Sequence, residues 1–258
     1  VKSVETDFRQ QHGEIAEAEF AILGFGKLGS RMMTRGSDLD LVFIFHAPPN
    51  SESDGARSLN VNSYYSRLCQ RLITALSVQT GQGQLYDVDV QLRPMGVSGS
   101  LVCDFSRLEN YYENEAWTWE LMALNRARVI VAPNKLRVEI GQLIENTLCS
   151  SRDAGELASN VYGMRRKIEA ERGTEDPWHI KYVRGGLVDL EFLVQYLQLR
   201  DAAIDGSILN THTIRALESI AVAGSLPFRS VAELTVAAQL FLNLQSIMRI
   251  SLSGQFQE

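Results

Sequence analysis

The chain is short of the residues that staple a protein or carry it into a membrane. Its three cysteines, Cys69, Cys103 and Cys149, are widely spaced with no C-x-x-C, which indicates neither a disulfide framework nor a zinc site. Four scattered histidines (His12, His46, His179, His212) read as surface or capped residues, not ligands. Basic charge is scarce: 25 Lys+Arg stand against 31 Asp+Glu, a net charge of −6, so no nucleic-acid partner is expected. No apolar run approaches the roughly 20 residues of a membrane helix, and no signal-peptide pattern opens the chain. The expectation is a cytoplasmic protein without a membrane partner. The chain opens on Val1 and stops at "SGQFQE", which reads as a piece cut from something longer.

What is present is an ordinary globular composition, 45% hydrophobic and 22% charged over 258 residues, long enough for two domains with cores. "EFAILGF" (19 to 25) and "SDLDLVFIF" (37 to 45) read as strands, and "LYDVDVQLRP" (85 to 94) alternates like another. A helix between them sets Tyr65, Leu68, Leu72 and Leu76 on one face. "SRLENYYENEAWTWELMALNRARVIV" reads as helical, then extended. Beyond about residue 131 the strand signals fade and the helical segments "LASNVYGMRRKIEAER", "LVDLEFLVQYLQLR" and "THTIRALESIAVAG" follow. Ser230 and Glu233 form an S-x-x-E capping box that opens a last long helix. The fold class is therefore α+β, with an all-α second part.

The run "TRGSDLDLVFIF" raises the functional question, because it loads two acids onto the mouth of a strand meant for burial. In a strand, side chains two apart share a face, so Asp38 and Asp40 point together. Two adjacent like charges repel, and a hard divalent cation relieves that repulsion. Mg²⁺ suits this arrangement, since it takes one or two carboxylates together with substrate phosphates. A solvated strand end with two exposed acids is the alternative. A third acid weighs against it: Asp87 and Asp89 share a face on a later strand, which can bring one beside the first pair. Three carboxylates around metal ions are the arrangement for in-line phosphoryl chemistry.

"GFGKLG" matches G-x-G-x-x-G, yet only eight residues separate Gly29 from Asp38, too few for the helix of a dinucleotide fold. It is not a P-loop either, since no G-K-[ST] occurs. Gly29-Ser30 still suits close approach to phosphate. Asp189 and Glu191 lie in a helical pattern, where residues two apart do not share a face, so they are expected to diverge.

A G-S turn, a D-x-D on a strand and a third acid on a later strand resemble the polymerase-β-like nucleotidyltransferases. The segments "GFGKLGSRMMTRGSDLDLVF", "DVQLRPMGVSGSLV", "AWTWELMALNRARVI" and "KYVRGGLVDLEFLVQYLQL", in that order, are similar to the bacterial glutamine synthetase adenylyltransferase family. "AWTWE" resembles its adenylylating, C-terminal half. The resemblance implies a nucleotidyltransferase domain with a mixed sheet over residues 1–135 and a helical bundle over 136–258. It implies Mg²⁺ as cofactor and ATP as substrate, with Asp38, Asp40 and Asp89 as catalytic and metal-binding acids. Gly29, Ser30 and Arg93 become nucleotide-binding residues. Implied partners are glutamine synthetase and a PII-type signal protein. Family members usually carry glycine where Ser30 stands and arginine where Gln91 stands. The deadenylylating half, another small-acceptor nucleotidyltransferase and a nucleotide-binding pseudoenzyme are the competing readings.

Several other residues carry expectations. Trp117 and Trp119 are expected as core or interface anchors. Arg126 and Arg128 are expected to reach phosphate or to pair with Glu115 or Glu120. Lys181 and Arg184 are candidates to cover the triphosphate, and "RRK" at 165 to 167 reads as a solvated helix face.

Overall fold

A computed structural model describes residues 1–81 and 83–251. Its elements run α1 (Lys2–His12), β1 (Glu19–Gly24), α2 (Gly26–Gly29), β2 (Leu39–His46), α3 (Val61–Leu76), β3 (Gln79–Thr80), β4 (Gly83–Gln84) and β5 (Val88–Asp89). There follow β6 (Val102–Asp104), α4 (Phe105–Asn114), α5 (Thr118–Leu124), β7 (Arg128–Val131) and α6 (Asn134–Leu148). The rest is helical: α7 (Ala154–Arg172), α8 (Leu187–Asp201), α9 (Thr213–Val222) and α10 (Phe228–Ser251). This is a mixed α+β chain with a small mixed sheet, an architecture consistent with a nucleotidyltransferase fold.

The chain forms two compact units, and a single cut does not separate them. The first comprises Val1–Gly29, Gly36–Glu115 and Arg128–Leu143; the second comprises Ser30–Arg35, Ala116–Ala127 and Ile144–Glu258. Polar contacts explain why the two short segments join the second unit. Arg249 donates to the hydroxyl of Thr34 at 2.6 Å, and Asn160 donates to that of Thr118 at 3.2 Å.

In the first unit β2 is the centre of the sheet. It pairs antiparallel with β1 along six residues, and β1 pairs in turn with β7. On its other edge β2 takes β5 in parallel beside its start and β6 in parallel beside its end. Leu41, Val42, Phe43, Ile44 and Phe45 are all buried, so the alternation of a one-sided strand gives way to the continuous apolar run of a central one. Phe20 and Phe45 stack on Tyr65 of α3, at centroid distances of 5.5 and 5.1 Å. Each such fully buried side chain contributes about 1.5–3 kcal/mol. The Asn60 side chain accepts from the Ser63 N–H and fixes the start of α3.

In the second unit α8 supplies Leu190, Val194 and Leu197 at helical spacing, α9 supplies Ala216, Leu217 and Ile220, and α10 supplies Val231 and Ala238. Gly224 ends the α9 region at φ +72°, as a glycine C-cap does. The expected capping box at Ser230 and Glu233 does not form. The helix starts at Phe228, just after Pro227, and Glu233 pairs with Arg229 instead, at 3.1 Å. That proline sits where a missing N–H costs nothing, so it sets the start of the helix.

Among the described residues one helix, α10, is long and apolar enough by length and composition to cross a membrane, which corrects the reading that no such run exists. The run was hidden because Gln239, Asn243, Gln245, Ser246 and Arg249 interrupt it. One such helix is weak ground for a membrane span, and Val231 and Ala238 bury part of it in the core.

Candidate functional site

Two of the three acids come together through strand register. Asp40 and Asp89 are directly paired residues on the parallel strands β2 and β5. Paired residues on neighbouring strands share a face, at the strand separation of about 4.8 Å. Asp38 is exposed just ahead of β2, two residues from Asp40, while Asp40 and Asp89 are half-buried. Leu39, between Asp38 and Asp40, is buried at 7% exposure. The Leu39 N–H bonds the carbonyl of Asp87 at 2.8 Å, and the Phe25 N–H bonds that of Asp40 at 2.9 Å. Both strands that flank the acids are therefore tied by backbone.

β5 is only two residues long, where the sequence pattern predicts a longer strand over 85 to 94. Asp89 ends it: its Oδ1 accepts the Gln91 N–H at 2.7 Å, an Asx turn that takes the backbone out of the ladder. Arg93 then gathers the loop, donating to the carbonyls of Val90 (2.5 Å), Val97 (3.3 Å) and Gly99 (3.3 Å). Three of its five N–H groups thus serve the loop that follows the third acid. Gln91 is exposed beside it.

Gly26 is a site residue the sequence reading missed. It has φ +51°, and a Cβ placed there would stand 2.3 Å from Asp40 Oδ2. The backbone thus lies close against the Asp40 carboxylate, and any side chain at Gly26 would displace it. The signal was present in the second glycine of "GFG", weighed only as part of a dinucleotide fingerprint that was set aside, and not as the neighbour of an acid.

Gly29 ends the single turn α2, and its N–H bonds the carbonyl of Phe25 at 2.8 Å. Arg128 donates to the carbonyls of Leu28 and Gly29 at 2.8 and 3.0 Å, so it braces this turn. Glu115 pairs with Arg107, which holds its carboxyl below the ordinary value, and the Glu120 side chain accepts the Trp117 N–H at 2.8 Å. In the second unit Ser30 is fully buried, and its hydroxyl accepts from Arg126 at 3.1 Å.

Asp189 and Glu191 diverge as helical spacing requires. Asp189 takes Arg165 and the Gly185 N–H, whereas Glu191 takes Arg126 at 2.9 Å. Burial pushes the Asp189 carboxyl up, but the bonds from Arg165 and Gly185 and the charges of Arg165 and Arg184 outweigh it and hold it below its ordinary value. Arg165 is only 12% exposed, so the first basic residue of "RRK" is not on a solvated face. Trp117 and Trp119 are 72% and 43% exposed, so neither is a core anchor. Lys181 lies 5.0 Å from the ring centroid of Tyr182.

The donor set fits a hard cation: the acids offer only oxygen, Asp40 and Asp89 from two adjacent strands and Asp38 from the residue just ahead of β2. Among the described residues no three acidic, histidine or cysteine side chains converge into a finished metal cage. The expected gathering of Asp38, Asp40 and Asp89 into one cluster is thus not seen; the strand register brings only Asp40 and Asp89 side by side.

Comparison with known proteins gives the family. Residues 1–142 match the glutamate-ammonia ligase adenylyltransferase family profile, and residues 162–253 match that of the GlnD PII-uridylyltransferase family. Proteins named bifunctional glutamine synthetase adenylyltransferase/adenylyl-removing enzyme are similar throughout. The one from Rhodopseudomonas palustris (strain BisB5) is 44% identical over 98% of this chain, and the one from Bradyrhizobium sp. (strain ORS 278) is 42% identical over 97%. That from Xanthobacter autotrophicus is 43% identical over 96%. The chain spans about a quarter of the length of these curated relatives, 26%, 26% and 25% respectively. A profile covering more than half of the chain, with relatives alike over nearly all of it, means that the chain belongs to the glutamate-ammonia ligase adenylyltransferase family.

Proposed function

We propose that this chain transfers AMP from MgATP to a tyrosine hydroxyl of glutamine synthetase. The observation that carries the reading is the parallel register that sets Asp40 beside Asp89; Asp38 stands two residues earlier in the chain, just ahead of β2. Asp38 and Asp40 are the residues to hold Mg²⁺ against the triphosphate, and Asp89 completes the acid set. When bound, the ion neutralises phosphate charge and orients the triphosphate.

The tyrosine oxygen attacks the α-phosphorus in line, the bond to the β-phosphate oxygen breaks, and pyrophosphate leaves. Asp89 accepts or directs the hydroxyl proton. Its Oδ1 is fixed by the Gln91 N–H, so the carboxylate has a set orientation for that task. Gly29 and Ser30 form the turn near the phosphates. Arg93 acts on the nucleotide side through the loop it organises, with two N–H groups beyond the three carbonyl bonds.

The family relatives are named for both adding and removing adenylyl groups, which makes the removing half the second reading. In that reading the same acids serve phosphate attack on the AMP–tyrosine bond. We further infer that the helical stretch after α6 is a bundle domain through which a PII-type signal protein acts, and that the enzyme works in the cytoplasm.

The test is incubation with glutamine synthetase, Mg²⁺ and ATP labelled at the α- or, separately, the γ-phosphate. Label on tyrosine from α-labelled ATP alone is expected. Label from the γ-position would mean phosphoryl transfer, and no label would remove the adenylylating reading.

A further inference from the structure

The Arg126 side chain is only 12% exposed and bridges two groups. One end of its guanidinium meets Glu191 Oε1 on α8 at 2.9 Å, and the other donates to Ser30 Oγ at 3.1 Å. Its Nε is buried without a hydrogen-bond partner. Burying an arginine this way is a poor route to stability, because desolvation offsets most of the gain from the ion pair. It is a good route to fixed geometry, since the planar guanidinium holds two partners in set directions. Ser30 is fully buried and accepts the bond, so its side chain acts as a peg that the guanidinium grips from within the protein.

Glu191 has the position to aim that grip. It lies two residues after Asp189 on α8, and the two acids serve different arginines, Arg126 and Arg165. The helix therefore anchors two basic side chains, and one of them runs directly to the residue after Gly29.

We infer that Arg126 is a positioning residue, oriented by Glu191, which holds Ser30 and thereby sets the backbone of the turn that meets the nucleotide phosphates. The inference rests on the proposed function for the role of that turn. It assigns Arg126 no contact with phosphate. Its two functional bonds are made within the protein, and its effect on the reaction passes through Ser30.

The test combines kinetics with hydrogen exchange on Arg126→Gln, Arg126→Lys, Glu191→Gln and Ser30→Ala. In Arg126→Gln, kcat for AMP transfer is expected to fall about 10- to 100-fold, with the KM for MgATP changing less than about threefold. Arg126→Lys keeps the charge but loses the fork and is expected to restore little of the rate. Arg126→Gln and Ser30→Ala remove the same bond, so the double variant is expected to be no slower than Arg126→Gln alone. Amides of residues 26 to 35 should exchange faster in Arg126→Gln and Glu191→Gln, with the rest of the chain unchanged. Wild-type kcat in Arg126→Gln, multiplying effects in the double variant, or unchanged exchange would each overturn the inference. An inactive wild type whose variants still loosen the turn would remove the proposed function and leave the grip of Arg126 on Ser30 standing.

Discussion

Replacing Gly26 by alanine separates the chemistry of Asp40 from the stability of the fold. The new Cβ would lie 2.3 Å from Asp40 Oδ2, while an ordinary carbon contact is about 3.5 Å. The carboxylate must therefore retreat by about 1.2 Å, the difference between those two distances. Because the crowded atom ends a rotatable side chain, the steric cost to folding is small. The backbone cost is larger: at φ +51° an alanine loses about 1–2 kcal/mol relative to glycine. For a chain of this size that is a fall in Tm of about 2–8 °C. The catalytic cost is larger still, since a misplacement of about 1 Å is worth about 10²-fold in rate. Gly224→Ala is the control, because it carries the same strain at φ +72° and nothing lies within 4 Å of its new Cβ. Both variants should melt a few degrees early, and only Gly26→Ala should lose AMP transfer, measured as initial rate with α-labelled ATP. A Gly26→Ala variant with the rate of Gly224→Ala would refute the claim that Gly26 sets the position of a reacting carboxylate.

Three other outcomes follow from the same structure. Asp38→Asn, Asp40→Asn and Asp89→Asn should each lose transfer with circular dichroism and melting intact, and normal turnover in any of them would remove that acid from the mechanism. Burial pushes the Cys69 thiol up strongly and the Cys103 thiol up to about 12, so at pH 8 both should resist alkylation until denaturant is added. Rapid labelling of Cys69 by mass spectrometry would contradict its place in the core. The Asp189 carboxyl is held below its ordinary value, so its pairing with Arg165 stabilises above the unfolded-state pKa of about 3.9 and is lost as pH falls through the folded value. Asp189→Asn should accordingly melt lower than wild type at pH 7, with the gap narrowing as pH falls below the unfolded-state value and through the folded one; a pH-independent gap would show that the charge is not what matters.

The pairing of Asp40 with Asp89 was within reach of the sequence, because a strand bearing Asp89 needed only to lie alongside β2; the shared face of Asp38 and Asp40 is a period-2 expectation, and Asp38 stands just ahead of β2. β1, β2, α3 and α8 were legible through apolar periodicity over six residues or more. The shortness of β5 was not, because an alternating pattern does not reveal that Asp89 caps the Gln91 N–H and turns the chain. α1 and α6 escaped notice, the first dominated by polar residues and the second lying where the strand signals end. The partners of Arg126, Arg128 and Arg165 were out of reach for another reason. Local spacing offered Glu115 or Glu120 for Arg126 and Arg128 and a solvated face for Arg165, whereas the fold brings Glu191 to Arg126, the α2 carbonyls to Arg128 and Asp189 to Arg165 from distant positions.

The central claim is that Asp38, Asp40 and Asp89 make one cation site that the nucleotide completes. Titration of Mn²⁺ by electron paramagnetic resonance, with and without a non-hydrolysable α,β-methylene ATP analogue, tests it most directly. Weak Mn²⁺ uptake alone and strong uptake with the nucleotide is the predicted result, with at least about a tenfold loss of the nucleotide-dependent uptake in each Asp→Asn variant. Full-strength uptake with nucleotide in Asp40→Asn or Asp89→Asn would contradict the claim.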